Sequence, residues 1–125
     1  HVKLKEYRDI MKRFNNQNLD LIKENFEAQQ ENDEEKIVAV NKKYENSLRR
    51  KYLYTVNFAI NNKDYEVAPY IMLTEAFDAN TKYLDTVYNS LGKEVRKSKY
   101  GKELKSFIKE REKLDKLEEK VEKRD

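Results

Sequence analysis

Phe58-Ala59-Ile60-Asn61-Asn62-Lys63-Asp64-Tyr65-Glu66-Val67-Ala68-Pro69-Tyr70-Ile71 contains the first residue of the chain that a helix interior cannot hold. Proline lacks an amide hydrogen, and its ring collides with the preceding turn. No glycine or proline precedes Pro69, none follows Gly101, and Gly92 lies between them. Both residue types interrupt helices, so the flanking runs read as extended helices and the interval Tyr65–Gly101 as short helices and turns. Asn61-Asn62-Lys63-Asp64 is a turn-forming cluster that ends the first long region.

Upstream, apolar residues recur at Leu4, Tyr7, Met11, Phe14, Leu21 and Ala28, with Ile10, Ile22 and Phe26 beside them. These steps of three and four draw one helix face, widened for more than one neighbour. Asn18 and Asn25 fall on the same line. A polar residue on such a stripe can set pairing register, but a place at its margin is the plainer reading. Asn32 or Asp33 caps a second helix, and Glu34 and Glu35 favour its positive end. Its stripe is Ile37, Val40, Tyr44, Leu48, Tyr52, Thr55 or Val56, and Ala59. Two helices of this kind form an antiparallel hairpin about 40 Å long.

Downstream, one short helix is predicted from about Glu66 to Phe77, with Pro69 in or near its first turn. Asn80 caps another that carries Tyr83, Leu84, Val87, Tyr88 and Leu91. Gly92 suits its C-terminal stop, and Lys93 to Lys97 could add a turn. Ser98 caps the last helix, whose inner face opens with Leu104, Phe107 and Ile108. Beyond Lys109 the apolar residues thin to Leu114, Leu117 and Val121, at heptad spacing from Phe107. A thin stripe of this kind suits a two-stranded contact or a solvated linker. The spacing predicts a projecting helix laced by pairs such as Glu112–Lys116 and Glu119–Lys123, which add little individually.

At 125 residues the chain is one domain's worth. Its 41% charged and 38% hydrophobic residues, with two glycines, suit amphipathic helices and not a turn-rich β-sandwich. Nine tyrosines and five phenylalanines at helical spacing oppose disorder. A net charge of +3 falls short of the excess that marks a dedicated nucleic-acid binder. Zero cysteines excludes disulfides, thiolate metal sites and cysteine nucleophiles. No apolar run approaches the roughly 20 residues of a membrane span, and none reads as a signal peptide. His1 is not a natural start, so the expectation is a processed or trimmed piece of a longer protein.

No catalytic set emerges. Asp78 and Asp85 lack the apolar surroundings that tune a general acid or base. The only histidine is His1, which leaves no Ser–His–Asp triad and no Glu-x-x-His metal pair. The two glycines form no phosphate loop. Catalytic, metal and cofactor residues are therefore none. Arg49-Arg50-Lys51 with Tyr52 and Tyr54, and Lys93–Lys105 with Tyr100, could track a nucleic-acid backbone. Tyr52 belongs to the core stripe, however, and Glu94 and Glu103 interrupt the second segment, so solvated helix faces are the better reading. No segment has the faces of a membrane-surface helix.

Phe58–Ile71, followed about thirty residues later by Ser98-Lys99-Tyr100-Gly101-Lys102-Glu103-Leu104, resembles a helical region of Bacteroidetes envelope proteins. In that family the region lies between an N-terminal β-rich domain of unknown function and a C-terminal TlpA-like thioredoxin domain. The match is strongest over Phe58–Ile108. The chain has no Cys-x-x-Cys, no thioredoxin strands and no β-rich domain, so redox activity is carried onto no residue here. The resemblance implies an exported, lipoprotein-anchored parent in the periplasm or cell envelope, whose other domains could carry thioredoxin-like oxidoreductase activity.

The expected fold is all-α: a long antiparallel helical hairpin, two short helices, and a long, partly projecting C-terminal helix. Residues 1–108 form the bundle and 109–125 a charged extension or linker. The expected function is a non-enzymatic spacer or interaction module. The alternatives are a self-associating coiled coil using Phe107, Leu114, Leu117 and Val121, and a weak nucleic-acid adaptor. Packing or partner-binding anchors are Tyr44, Tyr52, Tyr70, Tyr88, Tyr100 and Phe107. Tyr65, Tyr70 and Tyr100 are expected between helices with their hydroxyls at the surface, a peptide groove lined by them being the sharper alternative. Predicted partners are a neighbouring domain or protein, with a homodimer through the C-terminal helix possible.

Overall fold

The computed structural model describes residues 2–123, which form six helices and, among the described residues, no strand. These are α1 (Val2–Gln30), α2 (Glu34–Asn61), α3 (Val67–Glu75), α4 (Thr81–Ser90), α5 (Lys93–Lys97) and α6 (Lys99–Lys123). The all-α expectation holds, with two long helices, three shorter ones and a long last helix. Contacts divide the chain into two compact units that meet within α2, between Tyr54 and Thr55.

The first unit is the antiparallel pairing of α1 with α2. Its connection is dictated by local chemistry. Asn32 adopts the left-handed conformation (φ 56°), which asparagine tolerates better than most residues. Asp33 N–H then donates to the Ala28 carbonyl and Asn32 N–H to the Gln29 carbonyl, so the orphan acceptors at the end of α1 are satisfied. Asp33 is also the N-cap of α2, its carboxylate accepting from the Lys36 amide at 3.1 Å. Lys36 closes an ion pair with Glu31 across this turn.

Tyr7, Met11, Ala28, Val40 and Ser47 are buried in the hairpin. Tyr7 stacks on Tyr54, with ring centroids 6.1 Å apart, and Phe14 tilts against the same ring. Midway along, Asn18 is 8% exposed and its side-chain oxygen accepts from the Ser47 hydroxyl at 2.7 Å. The marginal reading of Asn18 is thus overturned: it lies on the seam because a buried partner satisfies it. Ile22 and Phe26, expected beside the core, are exposed at 52% and 61%. With α2 as its neighbour, α1 has more apolar width than one partner covers.

The second unit runs from Thr55 onward, and α6 contacts α3, α4 and α5. Ile71, Met72, Leu84, Val87, Leu104 and Ile108 are buried in it. Asn62 ends α2 by donating its side-chain amide to the Phe58 carbonyl at 2.8 Å. Pro69 sits within the first turn of α3, as its missing amide requires. α3 stops at Glu75, short of the expected Phe77, which is 51% exposed. Asn80 caps α4, accepting from the Lys82 amide at 2.9 Å. Ser98 caps α6, accepting from the Gly101 amide at 3.2 Å.

The glycines act differently from one another. Gly92 has φ −64° and is the N-cap of α5, so it supplies no left-handed stop to α4; Leu91 turns the chain by becoming extended. Gly92 N–H instead donates to the Lys63 carbonyl at 3.2 Å, and an added Cβ would lie 2.7 Å from the Asp64 carboxylate oxygen. Gly101 is buried, and an added Cβ would overlap the backbone carbonyl oxygens of Val95 and Arg96. A flexible carboxylate can move aside, but two backbone carbonyls of the preceding helix cannot.

Urea unfolding separates the two cases. Gly101→Ala is expected to lose about 1–3 kcal/mol of stability through overpacking, despite the better helix propensity of alanine, whereas Gly92→Ala should stay within about 1 kcal/mol. A double-mutant cycle tests the polar seam. Asn18→Leu or Ser47→Ala alone should cost about 1–3 kcal/mol by stranding the other group, and the double variant less than the sum.

Candidate interaction surface

The predicted anchors are half-buried packing residues. Tyr44 and Tyr52 lie along α2, and Tyr88 in α4 takes the Arg96 guanidinium over its ring at 5.3 Å. Arg96 also donates to the Asn89 carbonyl at 2.6 Å, which ties α5 to the end of α4. Tyr70 and Tyr100 meet edge to face, with centroids 5.2 Å apart, and join α3 to α6. Tyr65 departs from expectation. At 59% exposed it stands outside the packing, so the three tyrosines do not line one groove.

α6 has two faces. The first holds Gly101, Leu104 and Ile108, all buried against the rest of its unit. Along the same line follow Arg111 and Asp115, and both are tethered. Arg111 donates to the carbonyls of Phe77 at 2.6 Å and Ala79 at 3.0 Å, while its guanidinium lies 5.9 Å from the Phe107 ring. Asp115 accepts from the Thr81 hydroxyl at 2.8 Å. The helix is therefore held to the body as far as Asp115, beyond the point where it was expected to project. The two carbonyls belong to the α3–α4 connection, where no helix supplies their partners.

The second face is rotated by roughly 110° at 3.6 residues per turn. It carries half-buried Phe107 and then Leu114, Leu117 and Val121, exposed at 54%, 56% and 61%. These three, with Glu118 and Glu122, edge a shallow concavity of about 370 Å³. The expected Glu112–Lys116 and Glu119–Lys123 pairs are not closed, in contrast to Lys36–Glu31 at the α1–α2 turn. The lysines and glutamates beside the stripe are thus uncommitted.

The hairpin offers a contrasting feature, a groove of about 640 Å³ lined by Gln17, Asp20, Leu21, Lys43, Asn46, Ser47, Arg49 and Arg50. Arg49 and Arg50 from the basic run reach it, whereas half-buried Lys51 donates to Asn15. Asp20 and the amides make its lining mixed in character. Among the described residues, no group of histidine, cysteine or carboxylate side chains could hold a metal ion, and no helix is long and apolar enough to cross a membrane. No family model, curated protein or solved structure matches the chain.

The tether and the stripe should be separable. Arg111→Ala is expected to cost about 1–2 kcal/mol in urea unfolding by leaving two carbonyls without their charged donor. Leu117 is more than half exposed, so Leu117→Lys should change stability by less than about 0.5 kcal/mol.

Proposed function

We propose that the chain is a non-enzymatic helical spacer and interaction module that presents the outer face of α6 to a neighbouring domain or partner protein. One observation carries the reading: a helix anchored at its root by Arg111 and Asp115 displays Leu114, Leu117 and Val121 on a face its own unit leaves open. Scattered exposed apolar residues need no explanation, but a heptad-spaced row on an anchored helix fits partner recognition. The mechanism is positional. The packed root fixes the direction of α6, and the stripe supplies the contact.

The context we propose rests on the resemblance of Phe58–Ile108: an exported, lipoprotein-anchored parent of the thiol–disulfide type with a TlpA-like domain, or a relative lacking it, in the periplasm or cell envelope. The full open reading frame tests this. A lipoprotein signal upstream and a Cys-x-x-Cys-bearing thioredoxin-like domain downstream are the expected result. A stop immediately after Asp125 with no export signal overturns it. In a parent that carries the following domain, small-angle scattering should report a fixed separation that becomes variable when Leu114 and Leu117 are both changed to lysine.

A further inference from the structure

One side of the α1–α2 hairpin is apolar and uncovered. Asn18 opposite Ser47, and Asn15 opposite Lys51, fix which residues of the two helices lie at the same level. At about 100° per residue, Gln17, Leu21, Lys43 and Arg50 fall on the side of the seam where the polar groove opens. Asn15 and Lys51 mark the other side. There α1 presents Leu19, Ile22 and Phe26, each more than half exposed, and α2 the half-buried Ile37, Tyr44 and Leu48. These six make one apolar band across both helices.

The distribution of charge along the hairpin points to what covers this band. The half that contains the turn, residues 20–45, holds eight acidic and four basic residues. The other half, residues 2–19 and 46–54, holds two acidic and eight basic ones. A face that is basic at one end, apolar in the middle and acidic at the other complements itself only when a second copy is turned end for end. Centring the two-fold axis on the band places Leu19 opposite Phe26 of the second copy, and Ile37 opposite Leu48. The same register brings Lys12 to Asp33 of the second copy and Glu34 to Lys51, each twice by symmetry. Lys23 meets its own counterpart, but at the outer rim and with Glu27 one turn on in its own helix. A parallel pair would instead set one acidic turn on the other, which is repulsive. In the end-for-end register the turn of the second copy stops near the level of Asn15 and Lys51, about a turn short of Thr55, so the contact stays within the first unit. We propose that the hairpin pairs end for end with the hairpin of a second copy of this chain, through Leu19, Ile22 and Phe26, the acidic turn of each lying on the basic end of the other.

The overlap is roughly 25 Å long at 1.5 Å per residue, which puts the buried area near the lower bound of specific interfaces. The dimer accordingly dissociates on the order of tens of micromolar.

Sedimentation equilibrium of the whole chain at low salt, from about 1 μM to about 1 mM, tests the pairing, with circular dichroism confirming that each variant keeps its helices. Phe26→Lys should weaken the dimer by more than about tenfold, since the residue enters the contact twice. Leu117→Lys on α6 should leave it within about twofold. Reversing the turn with Glu31→Lys and Glu34→Lys, or the basic end with Lys12→Glu and Lys51→Glu, should each weaken self-association about tenfold. Mixed in equal amounts, these two variants should form a dimer within about threefold of the unmodified protein, because one is then basic at both ends and the other acidic at both. A turn-reversed variant that dimerises as well as the unmodified protein would reveal parallel stacking and overturn the proposal. A dimer that survives Phe26→Lys, or is lost with Leu117→Lys, overturns it too. A strict monomer across the range does the same, yet leaves the spacer reading intact, since that reading stands or falls on the open reading frame and the neighbouring domain.

Discussion

The second unit depends on the absence of a side chain at Gly101. Only Ser98 separates α5 from α6, so the last carbonyls of one helix must lie against the first turn of the next. A Cβ there would push α6 away from α5 and carry its whole inner face with it. Ser98 completes the junction, its hydroxyl donating to the Val95 carbonyl and accepting from the Gly101 amide. With α6 so close, Leu104 and Ile108 reach the core and Tyr100 meets Tyr70. Contacts thirty residues apart in sequence therefore hang on one position that must be glycine for reasons of space and not of dihedral angle.

The hairpin is organised on a different principle. Two helices of this length could slide past one another by a turn with little change in apolar burial. Three features oppose such a slip: the capped turn at one end, the Tyr7–Tyr54–Phe14 cluster at the other, and the Asn18–Ser47 hydrogen bond between them. The hydrogen bond is the most discriminating of these, because displacement by a turn would leave two buried polar groups without partners. Its net stabilisation is small; its contribution is to choose one register.

Element types and most helix ends were legible because they are set by neighbours in sequence. Asp33, Asn80 and Ser98 act as caps through bonds to amides two or three residues on, and Pro69 announces its place by its own chemistry. Features fixed by distant partners were not. Whether Asn18 belonged to the seam or its margin depended on Ser47, 29 residues away. Phe26 fits its helical pattern and Tyr65 was expected between helices, yet nothing in the local sequence says whether a neighbour will cover them. Gly92 looked like a helix stop because glycine usually is one there, while its actual relation is to Lys63 and Asp64. The candidate surface was visible as a heptad row from Phe107 to Val121, but its anchor was not, since Arg111 works through backbone carbonyls that carry no side-chain signature.

That anchor also explains why the stripe differs from an unfinished core. Had the inner face of α6 merely run past the end of the body, its apolar residues would have continued in phase with Leu104 and Ile108. In phase, however, come Arg111 and Asp115, both hydrogen-bonded to the α3–α4 region. The apolar row restarts on another side of the helix. One helix thus serves two surfaces, with polar tethers closing the first where the second begins. A helix held at its root in this way has its direction set by its own unit, independently of what its outer apolar face meets.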